Sequence, residues 1–150
     1  MKIRFIAASV ALSLGFAADA NAQAKPEVLV KQRQAAMTLI GKYFGPLGGM
    51  AQGRVPYNQQ VVQRNAAILD VLKDTPWDGF HESTKGVKSA TLPALWDKPA
   101  EVKQGIERFQ SEVGKLAQVS KSGDEAAVKA QIGAVGKTCG GCHDNFREKR

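Results

Sequence analysis

Cysteine and histidine are scarce in this chain of 150 residues, with two of each. Two thiols cannot build a dense disulfide scaffold, nor supply the four thiolates of a structural zinc site. Aromatic residues make up only 7%, and they do not interleave with basic ones as a nucleic-acid surface requires, so no nucleic-acid partner is expected. No apolar run reaches the roughly 18 residues of a membrane span. No stretch alternates apolar and polar residues for long enough to read as a strand. There is no activated nucleophile, no convincing carboxylate pair and no phosphate-cradling glycine loop, so enzyme machinery is not expected. What remains is a chain with 43% hydrophobic and 23% charged residues, which suits one domain with a real core. Its net charge of +7 is spread along the chain. The basic end, Arg147-Glu148-Lys149-Arg150, suits a solvated helix terminus or the steering of an acidic redox partner.

Residues 1–22 have the three parts of a secretory signal. Lys2 and Arg4 form the positive region, Phe5 to Ala18 the uncharged apolar stretch, and Ala20-Asn21-Ala22 the small-residue cleavage site. Cleavage after Ala22 leaves a mature domain of residues 23–150 without a membrane span, in the periplasm. That compartment is oxidising, so a vicinal cysteine pair would not stay free there without a purpose.

The mature chain reads as helices throughout. Pro26 suits a first helical turn, and Leu29, Ala36, Met37, Ile40 and Phe44 form a stripe that Gly45-Pro46-Leu47-Gly48-Gly49 is expected to end. Asn58 is the expected N-cap of a second helix with Val61, Val62, Ile68, Leu69 and Leu72 on its apolar face, stopped by Thr75-Pro76. The connection from Trp77 to Trp96 is long enough to be functional or to hide a short helix. Asp97 is the expected cap of a third helix with Pro99 in its first turn. Along it, Val102, Ile106, Phe109, Val113 and Leu116 recur at spacings of 4, 3, 4 and 3, a packing seam. Ser122-Gly123 ends that helix and Asp124 caps the fourth. There Val128, Ile132, Val135, Cys139, Cys142 and Phe146 repeat the seam, which places both cysteines on the buried side. The fold class is all-α, an antiparallel up-and-down four-helix bundle.

Cys139-Gly140-Gly141-Cys142-His143 is the one sharp chemical motif. C-x-x-C-H is the attachment signature of c-type haem. Two thiols about one helical turn apart can each add to a haem vinyl, and the next residue, His143, can present an imidazole nitrogen to the iron. The two glycines leave room for the macrocycle. Three other readings compete. A redox dithiol wants a helix N-terminus, whereas this motif closes a helix. Zinc needs a fourth ligand beyond Cys139, Cys142 and His143. A plain disulfide is the third. His81 is the other histidine: as a lone loop residue it is more often solvated than a second iron ligand.

Most c-type cytochromes carry the haem motif near the N-terminus; here it lies on the last helix, followed by a basic tail. Lys25-Pro26-Glu27, Arg33-Gln34-Ala35-Ala36-Met37, Pro56-Tyr57, Pro76-Trp77-Asp78-Gly79-Phe80 and Cys139 to Arg147 follow one another in that order. In these pieces and their order the mature chain resembles the class II c-type cytochromes, cytochrome c′ in particular, whose fold is itself an up-and-down bundle. On residues alone, Arg33 reads as a solvated bundle position and Met37 as core filler. The resemblance implies more. One covalent haem c is held through Cys139 and Cys142, with His143 on the iron. Arg33, with Gln34 beside it, lies near a haem propionate. Met37 faces the distal side of the iron, Trp77 and Phe80 line the distal pocket, and Arg147 lies on the proximal side. Phe146 stands where some relatives carry tyrosine.

The function implied is electron transfer, or binding of small gases such as NO and CO at a five-coordinate iron. The alternative is a low-spin branch in which Met37 is the sixth ligand and electron transfer the only task; histidine/methionine ligation raises the potential. Partners are then redox proteins or small gases, and a homodimer through the first two helices is implied as well.

Overall fold

The structure is a computed structural model that describes residues 24–149; the expected signal segment, 1–22, lies outside the described residues. Pro26 occupies the first turn of α1 (Pro26–Ala51), where its missing N–H is no loss. Next come α2 (Gln59–Leu72), the short α3 (Ala94–Asp97), α4 (Pro99–Val119) and α5 (Glu125–Phe146). Two single 3₁₀ turns, Trp77–Phe80 and Glu82–Thr84, lie between α2 and α3. The four long helices form a closed ring of neighbours: α1 packs on α2 and α5, and α4 packs on α2 and α5. Leu47, Val62, Leu69, Val113, Leu116, Val128, Ile132 and Val135 fill the centre. Each such side chain contributes about 1.5–3 kcal/mol by leaving water.

Caps and cross-links fix the register. Asn58 accepts from the Val61 N–H at 3.0 Å, and Asp124 accepts from the Ala127 N–H at 3.0 Å. Each cap is worth about 1 kcal/mol. Gly123, at φ 78°, supplies the left-handed turn that lets α5 fold back on α4. Gln131 Nε2 donates to the Glu112 carbonyl at 3.0 Å and Asn65 Nδ2 to the Tyr43 carbonyl at 3.0 Å, tying α5 to α4 and α2 to α1.

Four boundary expectations change. α1 does not stop at Gly45–Gly49 but runs through Pro46 to Ala51. Pro46 removes one donor to the Lys42 carbonyl, on an exposed residue where the loss costs least. In return Leu47, Gly49 and Met50 are buried. α2 ends at Leu72 rather than at Thr75-Pro76; the Thr75 N–H already closes a turn on the Leu72 carbonyl at 3.0 Å. Asp97 does not cap α4: it is the last residue of α3, and its carboxylate lies 3.5 Å from Lys85. The seam of α4 is buried only from Phe109 onward; Val102 and Ile106 are half-buried.

Candidate haem site

α5 carries Cys139, Cys142 and His143 in its last two turns, and all three are half-buried, whereas the seam predicted the two cysteines on the buried side. The bundle core ends at Val135, so the thiols sit where α5 emerges from it, with Cys139 still packed against the core. The two thiols are not bonded to each other. Burial pushes both above the ordinary cysteine value. That direction is opposite to the low-pKa dithiol of a redox site. Among the described residues no group of three or more His, Cys, Asp and Glu side chains is arranged to hold a metal ion, so zinc lacks a fourth ligand.

The end of α5 is stitched down. Arg147 leaves the helix in an extended conformation, and its N–H donates to the His143 carbonyl at 3.1 Å. It pairs antiparallel with Thr91; the Leu92 N–H donates to Phe146 and the Glu148 N–H to Ala90, both at 2.9 Å. Phe146 is buried beneath this short ladder. No strand was expected here, because one bridge is too short to show a period.

A second wall comes from the turn after α2. The Trp77 indole N–H donates to the Lys73 carbonyl at 2.6 Å. Its ring stacks on Phe80 with centroids 6.1 Å apart and meets Phe109 of α4 edge-on at 5.7 Å. Arg33, from α1, lies over the Phe80 ring at 4.6 Å. It is not a solvated bundle position: only 4% of it is exposed. Its guanidinium donates to the Gly79 carbonyl and, at 3.2 Å, to Ser89 Oγ. Burial pushes it below the usual arginine value, and no described carboxylate offsets that.

Met37, one turn along α1, is half-buried against the same core as Trp77 and Cys139. Gln34 is exposed, and its backbone carbonyl accepts from Thr38 Oγ1 at 2.8 Å. His81 is exposed and turned to local work: its Nδ1 accepts from the Ser83 N–H at 3.2 Å and caps the second 3₁₀ turn. An open cleft of about 590 Å³ lies between Trp77 and Phe80 on one side and Val102 and Ile106 of α4 on the other. Val102 and Ile106, expected as core seam, line this cleft instead, and Cys139, Cys142 and His143 are not among its lining residues. Ser89, which meets Arg33, is the supporting residue that sequence reasoning missed, and no sequence signal marked it.

These residues fit covalent haem. Two thiols stand a turn apart on one helix beside a histidine, Trp77 packs against the same core as Cys139, and the buried Arg33 guanidinium lies among neutral partners. Fold and site together define a class, a helical-bundle haem protein of the c type. The family model for cytochrome c′ matches residues 28–147. Cytochrome c′ of Rubrivivax gelatinosus is 39% identical over 126 residues, covering 83% of this chain and 98% of that protein; its crystal structure superposes with a TM-score of 0.78 at 38% identity, over 83% of this chain and 98% of that one. Two variants of cytochrome c prime from Alcaligenes xylosoxidans, each 35% identical, also match. One was solved as its nitric oxide complex, with a TM-score of 0.76 over 85% of this chain and 98% of that one. The other was solved with carbon monoxide bound, with a TM-score of 0.75 over 84% and 98%. The chain belongs to the cytochrome c′ family, and haem c held by two cysteines is that family's cofactor.

Proposed function

We propose that this chain is a periplasmic haem protein that takes small gases such as NO and CO at a five-coordinate iron, or passes electrons through it. The observation that carries this is the grouping of Cys139, Met37 and Trp77, from three separate elements, around one buried core. Bound haem supplies an iron that changes oxidation state and can take a small neutral ligand. The chain does the rest: Cys139 and Cys142 tether, His143 ligates, Trp77 and Phe80 exclude water, and Arg33 neutralises a carboxylate. Met37, packed against the core beside this site, would crowd the iron without bonding to it. No described helix is long and apolar enough to cross a membrane, in keeping with a protein that works free of the bilayer.

A second reading has the Met37 thioether as sixth ligand; its half-buried, unbranched side chain can be turned toward the cofactor. The two separate on one measurement. With Met37 unbound, Met37→Ala leaves the high-spin electronic spectrum of the ferrous protein unchanged. Loss of a sharp low-spin alpha band in that variant would establish ligation and overturn the five-coordinate proposal. A homodimer through α1 and α2 belongs to the same proposal, supported by exposed Val28, Leu39 and Val71 on those helices. Sedimentation velocity of the holoprotein should give twice the chain mass; a single-chain mass refutes it.

A further inference from the structure

Arg33 has given up nearly all of its water, yet its partners are neutral: a carbonyl, a hydroxyl and an aromatic face. A cation held in this way is costly unless an anion joins it, and its position matters because a low dielectric magnifies its field. On the haem reading, that anion is a carboxylate of the cofactor. The Gly79 carbonyl alone leaves the guanidinium free to swing about one contact. Ser89 Oγ supplies a second fixed point, accepting from Arg33 at 3.2 Å and from the Thr91 N–H at 3.3 Å. Thr91 is itself held by its pairing with Arg147, whose N–H donates to the His143 carbonyl. Hydrogen bonds and the short 90–92/146–148 ladder, joined through the backbone of Thr91–Leu92 and Phe146–Arg147, therefore connect the buried cation on α1 to the backbone of His143.

We propose that Ser89 is a positioning residue. It fixes the Arg33 guanidinium against the cofactor's carboxylate, and the 90–92/146–148 ladder ties that fix to the end of α5. This rests on the haem reading above.

The test is the midpoint potential of the holoprotein at fixed pH, measured at two ionic strengths. Ser89→Ala should lower the potential, because a carboxylate less well neutralised favours the oxidised, more positive iron. The potential should also become more sensitive to salt, because a looser ion pair is better screened. Ser89→Thr keeps the hydroxyl and should restore the parent value. Arg33→Gln should lower the potential further, and adding Ser89→Ala to it should change nothing more, since Ser89 acts through Arg33. Ser89→Asp offers Arg33 a competing carboxylate, and should lower the potential even if the alanine variant is poorly expressed. A parent potential in Ser89→Ala, or an equal drop with and without Arg33, overturns the proposal. With either of those two outcomes, a haem band and haem-bearing mass in every variant show that the haem reading stands while the role of Ser89 falls.

Discussion

Replacing Cys139 and Cys142 together by alanine is expected to yield a colourless chain whose intact mass is that of the polypeptide alone. The two cysteines are the chain's entire supply of thiols. A thioether needs a thiol, so no other side chain can take over the attachment. Each single variant keeps one sulfur and should retain haem through acid–organic extraction at reduced yield, because one covalent bond still resists extraction. Haem added to the double variant should extract completely. Both positions are half-buried at the margin of the core, and alanine has the highest helix propensity, so the bundle itself loses little. Circular dichroism separates loss of haem from loss of fold. Haem that survives extraction from the double variant would place the tether elsewhere, and with it the whole site.

Much of this architecture can be read along the chain because it is local. The caps at Asn58 and Asp124 and the Val128, Ile132 and Val135 part of the α5 seam depend on neighbours within a few residues, and all appear where expected. Errors arise where distant packing outweighs a local signal. Pro46 is a helix breaker by its own chemistry, yet burial of Leu47 and Met50 carries α1 past it. Asp97 is a good cap by type, but α3 claims it first. The site divides in the same way. The cysteines and His143 are contiguous and announce themselves. Arg33, by contrast, meets Gly79 and Ser89 across 46 and 56 residues of sequence, and no period or spacing encodes that meeting. Family resemblance gave Arg33 its role; only the fold shows what holds it.

Gly79→Ala is expected to destabilise the holoprotein by about 3 kcal/mol, the upper end for an overpacked site. A Cβ at this position would lie 2.4 Å from Arg33 Cβ and 2.8 Å from the Leu29 carbonyl oxygen. Both belong to α1, one of them is backbone, and neither is the far end of a flexible side chain. The turn that carries Trp77 and Phe80 must therefore move off α1. Moving it draws the Gly79 carbonyl away from the Arg33 guanidinium and from Thr84 Oγ1, which donates to it at 3.2 Å. Urea unfolding should show the loss, and the melting temperature should fall by roughly 10 °C. Gly86→Ala is the matched control. It lies in the same connection, nothing stands within 4 Å of its added Cβ, and its φ is not in the left-handed region. It should be neutral or stabilising by up to about 1 kcal/mol, through a less flexible unfolded chain. The site needs Gly79 for the space its missing side chain leaves. Equal stability of the two variants would mean that the aromatic turn and α1 part without penalty, and a wall that yields so easily could not hold Arg33 in place.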